Sequence, residues 1–193
     1  MARYEYGRIA RLADSLAQAG IDEAVCAEIS RGGESIRSST PPAKKAEWMR
    51  GAMERMNALI EPEIRHCVRE ASACCLGGKR LECSKAIAKN HLTLEDRIRA
   101  ANETRFVFGH SVTLQEDGRV LVRFAPEGLP GYRCVCLPQA GEPISETYCY
   151  CCGGHVKHHL QIALGRTLRC TVRSSALASG GREACTFLLD FAD

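Results

Sequence analysis

Five of the twelve cysteines and three of the six histidines fall in one stretch, residues 132–164, YRCVCLPQAGEPISETYCYCCGGHVKHHLQIAL. Cys134 and Cys136 are separated by one residue, and so are Cys149 and Cys151. On an extended strand such a pair turns both thiols to one face, with Cα atoms ~6.6–6.8 Å apart. Two such strands side by side bring four sulfurs to one patch. That suits a tetrahedral zinc ion with Zn–S distances of about 2.3 Å, or an iron–sulfur cluster, which also takes four thiolates. Cys134, Cys136, Cys149 and Cys151 are therefore the candidate metal ligands, with zinc the first expectation and an iron–sulfur cluster the alternative. The spacing C-x-C…C-x-C-C is less specific than a double C-x-x-C. The same thiols would also fill small core slots, and the adjacent Cys151-Cys152 would suit redox chemistry.

Cys152 carries a different chemistry. It precedes Gly153-Gly154 at the expected start of a helix, where the free N–H groups favour a thiolate. His155 follows three residues on and is placed to act as a general base or a further ligand. Gly153 and Gly154 would let a ligand approach the backbone and use its N–H groups as an anion or oxyanion site. No Asp or Asn follows at a spacing that would orient the imidazole. Cys152 and His155 are the candidate catalytic pair, and Gly153 and Gly154 the candidate ligand-binding residues. His158, His159 and Lys157 read as a solvated helix face, and Cys170 as core.

The elements that must position these groups change character at Arg105. Before it, apolar residues recur at helical spacing. Ile9, Leu12 and Leu16 mark a first helix ended by Gly20, and Asp22 caps a second. Trp48, Met49, Ala52, Met56 and Leu59 share one face of a third. Pro62 starts a fourth running to Cys75, and residues 79–90 form a fifth. Thr93 with Asp96 makes a capping box for a sixth. Residues 31–42, RGGESIRSSTPP, read as a loop. After Arg105 the period becomes two. Two runs flank Glu116-Asp117-Gly118 as a hairpin. Residues 132–137 and 146–151 alternate as cysteine-bearing strands, residues 153–164 form one helix, and two last runs flank Gly180-Gly181. Helices, hairpin, cysteine strands, one helix and a second hairpin predict an α+β fold with a mostly antiparallel sheet. Residues 1–105 form a helical region packed on the core, and residues 106–193 an α+β cysteine-rich region, together one compact domain.

Composition narrows the partners. The chain has 193 residues, 45% hydrophobic and 25% charged, with a net charge of +3 and only 6% aromatic residues. So small a charge, without a run of like charges, argues against a broad nucleic-acid footprint. No apolar run approaches the roughly 18 residues of a membrane span. The first residues lack the apolar core of a signal peptide, so the expected location is the cytoplasm, where thiols stay reduced.

The C-terminal segment CYCCGGHVKHHLQIALGRTLRCTVRSSALASGGREACTFLLDF resembles the end of 4-vinyl reductase domains and their cysteine-rich bacterial relatives. The features carrying it are Cys149, Cys151 and Cys152, Gly154, Leu164-Gly165, Gly180-Gly181 and Cys185-x-Phe187. The order of elements matches over roughly residues 106–193, and the specific motifs over the last 45 or so. The chain departs from the family at Ser174-Ser175, where those domains commonly carry a further cysteine. The resemblance implies an α+β ligand-binding fold related to haem-NO-binding domains and TRAPP subunits, a hydrophobic small-molecule ligand, and a zinc role for the cysteines. A family of similar layout, the 2-aminothiazoline-4-carboxylate hydrolases, supplies the enzymatic alternative: a thiol-dependent hydrolase of a small amide or heterocycle. The leading expectation is a cytoplasmic small-molecule-binding or sensing domain with a cysteine-ligated metal site, binding neither nucleic acid nor membrane, and with apolar helix stripes suited to a homodimer.

Overall fold

The computed structural model describes residues 4–192. What was read from Met1 to Arg3, and Asp193, lies outside the described residues. The first half is helical: α1 (Gly7–Gln18), α2 (Glu23–Ser30), α3 (Pro42–Leu59), α4 (Pro62–Ala71), α5 (Gly78–Asn90), α6 (Leu94–Glu103) and the single turn α7 (Arg105–Phe108). Local chemistry sets the boundaries. The Asp22 carboxylate accepts from Ala24 N at 2.8 Å and starts α2. Thr93 Oγ1 accepts from Asp96 N at 3.1 Å and starts α6. Pro42 and Pro62 occupy first helical positions, where a missing N–H costs nothing.

The second half supplies a four-stranded antiparallel sheet of β1 (Ser111–Leu114), β2 (Val120–Arg123), β3 (Leu168–Ser174) and β4 (Thr186–Phe191), in the order β1-β2-β4-β3. One long helix, α8 (Tyr150–Leu164), connects the middle of the chain to β3 and ends at Gly165 in the left-handed conformation. The fold is thus α+β, with the helices gathered against an antiparallel sheet.

The core is continuous from helices to sheet. Leu12, Met53 and Met56 of the helical half, Val156 and Leu160 of α8, and Phe187 and Leu189 of β4 belong to one buried cluster. Within it α8 is enclosed by α4, α5, α6, α7 and β3. Every residue from Thr147 to Gly154 is buried. Lys157 Nζ pairs with Glu70 of α4 at 2.6 Å, and the rings of Tyr150 and His66 stack 3.8 Å apart.

Two expected strands are not strands. Residues 132–137 are irregular: bracketed by Pro130 and Pro138, they tie to the hairpin before β4 through Tyr132 N to Gly181 O at 2.8 Å. Residues 146–151 split into a 3-10 turn (Glu146–Cys149) and the first turn of α8. Ser145 caps that turn by accepting from Thr147 N at 3.3 Å. The alternation over residues 146–151 misled because the burial of Thr147 to Gly154 leaves no polar face to reveal the helical period. The helix therefore begins at Tyr150, three residues earlier than its glycine pair suggested. The apolar run from Phe106 is likewise helical up to Phe108 before β1 begins.

Candidate functional site

A cavity of about 510 Å³ opens beside the first two turns of α8. Its apolar wall comes from Phe106, Val107, Phe124, Tyr132 and Val135, and its cationic side from Arg80 and Arg105. The remaining wall is sulfur: Cys74 and Cys75 from the loop after α4, Cys136 from the irregular segment, and Cys151 and Cys152 from α8. His155 and His110 complete the lining. Gly109, at φ 100°, carries the chain from α7 into β1 across this wall, where a Cβ would collide with the Phe124 ring. The size and the apolar walls with few polar groups suit a small organic ligand. A second hollow of about 530 Å³ lies against α1 and α2, and the thiol there, Cys26, is engaged by the Ile21 carbonyl at 3.4 Å.

The sulfurs fall into three sets rather than one. Cys136 Sγ lies 3.5 Å from Cys152 Sγ, and the Cys134 thiol bonds to Cys136. The bond from Cys134 favours the Cys136 thiolate, but the contact with Cys152 and burial outweigh it and push Cys136 up to about 12. Cys149 lies 2.9 Å from Ser175 Oγ and donates to Cys185; that donation raises the Cys149 thiol and lowers that of Cys185. Cys151 lies against Cys74 and 3.7 Å from the Ser72 carbonyl. Cys74 in turn is 3.7 Å from the exposed Cys75.

This division separates the four expected metal ligands. Cys134 and Cys136 belong to the first set, Cys149 to the second and Cys151 to the third. With residues 132–137 and 146–151 forming no strands, the shared sheet face on which the four thiols were to converge does not exist. Among the described residues no three His, Cys, Asp or Glu side chains form a group that could hold a metal ion. The residues present do not fit the expected four-thiolate zinc or iron–sulfur centre.

Electrostatics single out Cys151 rather than Cys152. The Cys74 thiol donates to Cys151 and, with the nearby guanidinium groups of Arg69 and Arg8, holds its pKa well below the ordinary thiol value. Cys152 is hydrogen-bonded to Cys136, which favours its thiolate, yet burial and the surrounding sulfurs push it up. Arg69 is only 2% exposed. Its Nη2 donates to the Tyr148 carbonyl at 3.3 Å and its plane lies over the Tyr148 ring, but its Nε has no partner. Arg8 donates to the Cys136 carbonyl and the Tyr148 hydroxyl. Among the described residues, neither guanidinium has a carboxylate partner. A buried cation without an anion is costly, and the thiols are the acidic groups at hand.

The other sequence candidates have local roles. Gly153 and Gly154 are buried and do not line the cavity. A Cβ on Gly153 would meet Cys170 Sγ at 3.1 Å, and one on Gly154 would overlap the Glu70 carbonyl. The glycines let α8 approach β3 and α4, so their role is packing rather than ligand access. His155 lines the cavity, with Nε2 2.9 Å from the Val107 carbonyl. A carbonyl only accepts, so the ring proton resides on Nε2 and Nδ1 is the basic nitrogen. Burial lowers the His155 pKa. His159, expected in solvent, is fully buried. Its Nε2 donates to the Cys75 carbonyl at 3.0 Å and Nδ1 lies 3.0 Å from Ser84 Oγ. Burial lowers its pKa to about 4.

No family model, curated protein or solved structure matches the chain. The site must therefore be read from its own residues. Sequence reasoning left Arg8, Arg69, Arg80 and Arg105 out of it entirely. The i, i+4 spacing of Cys151 and His155 puts both on one side of α8 because the helix starts at Tyr150. The partnership of Cys74 with Cys151, across 77 positions, has no sequence signal.

Proposed function

We propose that the chain is a binding module for a small, mainly apolar molecule bearing an anionic group, held in the cavity beside α8. The observation that carries this reading is the cavity itself: about 510 Å³, with Phe106, Val107 and Phe124 on one side and Arg80 and Arg105 free of carboxylate partners among the described residues. The apolar body desolvates against the aromatic rings and the anion meets the two guanidinium groups. The likeness of the C-terminal segment to 4-vinyl reductase domains supports the same reading and the finer fold assignment that goes with it. Among the described residues no helix is long and apolar enough to cross a membrane.

Anilinonaphthalene sulfonate, an apolar fluorophore with one anionic group, tests the proposal. Saturable enhancement at one site is expected, with weaker binding in Phe106→Ala and Arg105→Glu. Both positions are exposed, so the substitutions leave the fold intact. Enhancement insensitive to both substitutions would refute the reading.

A second reading, thiol-dependent hydrolysis of a small amide or heterocycle, is favoured by one observation. Cys151 and His155 stand one helical turn apart on α8 and both line the cavity, and the buried His155 Nδ1 holds no hydrogen bond among the described residues, so a rotation of either side chain would pair a nucleophile with its base. The nucleophile in that reading is Cys151 and not Cys152, whose thiol is tied to Cys136. Para-nitrophenyl acetate should give an acyl burst of about one equivalent that Cys151→Ser removes and His155→Asn slows. Steady release without a burst would reject it.

A further inference from the structure

The loop between α4 and α5 has one backbone outlier. Cys75 adopts φ 64°, the sole positive φ among the described non-glycine residues. The left-handed conformation costs a non-glycine residue about 1–2 kcal/mol. It is held by the buried His159, which donates to the Cys75 carbonyl. The effect is to fix the preceding residue, so that Cys74 stands between Cys151 behind it and the exposed Cys75 in front. Behind Cys151 lie Arg69, 98% buried with an unpartnered Nε, and Arg8. Cys74, Cys75 and Cys151 all line the cavity. A thiol backed by cations that have no carboxylate partner among the described residues, a second thiol hydrogen-bonded to it from another element, and an apolar chamber in front are the parts of a dithiol exchange site.

We propose that Cys151 and Cys74 form a dithiol that reduces a small aromatic or apolar disulfide bound in the cavity. This rests on the cavity reading above. The Cys151 thiolate attacks one sulfur of the disulfide R–S–S–R. The S–S bond breaks, one R–S⁻ leaves, and a mixed disulfide joins Cys151 to R–S. Cys74 then gives up its proton to the departing thiolate and attacks Cys151 Sγ. A Cys74–Cys151 disulfide forms and the second R–S⁻ is released. The small disulfide gains two electrons and becomes two thiols, and the protein dithiol loses two. A low-molecular-weight thiol in excess reverses the protein's oxidation by the same exchange.

The probe is dithiobis(nitrobenzoate), an aromatic disulfide with carboxylates that suit Arg80 and Arg105, added at one equivalent to the fully reduced 193-residue chain. We expect a fast phase releasing about two equivalents of the coloured thiol, at least ~10-fold faster than the remaining cysteines react. Peptide mapping should then find a Cys74–Cys151 linkage. Cys74→Ser, a change in a half-buried loop position, should keep the fast phase but release one equivalent and leave a stable mixed disulfide on Cys151. Cys151→Ser should abolish the fast phase. A linkage between Cys136 and Cys152, or a fast mixed disulfide on Cys74 or Cys75 that Cys151→Ser leaves unchanged, would overturn the assignment. Arg105→Glu separates the two ideas. If the cavity receives the reagent, the fast phase slows at low concentration while the linkage stays the same. A fast phase indifferent to Arg105→Glu refutes the cavity reading but leaves the dithiol standing.

Discussion

The bare Cα of Gly154 in α8 lies directly against the backbone carbonyl of Glu70 in α4. One turn along, the same two helices are joined by the ion pair of Lys157 with Glu70. The approach of these helices brings the loop carrying Cys74 onto the first turn of α8. Gly154→Ala should therefore cost more than ordinary overpacking, about 3 kcal/mol or more, because the obstructing atoms are backbone. Gly153→Ala should cost about 1 kcal/mol, since Cys170 and Phe187 side chains can give way. Denaturant unfolding of the two variants checks the order, and a larger cost for Gly153→Ala would show that the sheet, not α4, sets the position of α8.

Arg69 is expected to act on Cys151 through charge. Replacing it with methionine keeps much of the buried volume and removes the cation. The midpoint of its titration then moves up, and at pH values below that midpoint each unit of rise cuts the thiolate fraction about tenfold. Iodoacetamide labelling followed by peptide quantification should show that loss at Cys151, with Cys67, exposed and remote in sequence from α8, labelling as before.

Acid should destabilise the fold through His159. Burial lowers its folded-state pKa to about 4, below the ~6.5 of an unfolded histidine. The unfolded chain therefore binds the extra proton first. Stability is complete above pH ~6.5 and falls as pH drops toward about 4. His155, whose pKa is also lowered by burial, adds to the same slope. His159→Gln should flatten the dependence of the unfolding free energy on pH in this window. An unchanged slope would mean that the imidazole is solvated in solution.

Arg97 of α6 fastens two helix ends. Its guanidinium donates to Leu164 O at 2.6 Å, His91 O at 2.9 Å and Ala88 O at 3.1 Å, the unpaired carbonyls of α8 and α5. Charged hydrogen bonds of this kind are worth about 1.5–3 kcal/mol each. Arg97→Met should lower stability by several kcal/mol in thermal unfolding without changing Cys151 labelling, because the clasp lies at the far end of α8 from the thiols.

Much of the scaffold was legible in the sequence. Asp22 and Thr93 announced helix starts that their side chains make, and Gly118 and the Gly180-Gly181 pair marked turns between strands that pair in sequence or through β4. The α+β order followed from the change of period at Arg105. The cysteine region was misread because both periodic signals need a polar face, and Thr147 to Gly154 has none. Gly153-Gly154 serves helix contact, a use that sequence alone does not distinguish from an approach for a ligand. The lining of the cavity escaped because it is assembled from segments far apart in the chain, and the buried Arg69 beside it because a lone Arg in sequence gives no sign of being buried without a carboxylate.

The enclosure of α8 separates stability from access. A helix packed on all sides surrenders its amides to solvent only when the whole molecule opens. The irregular segment over residues 126–143, which forms the opposite wall of the cavity, is anchored by isolated bonds such as Tyr132 N to Gly181 O. Amide exchange should run slow in α8 and fast in that segment. Substitutions in residues 126–143 would then alter how quickly a small molecule comes and goes, while those in α8 alter whether there is a reactive sulfur for it to meet.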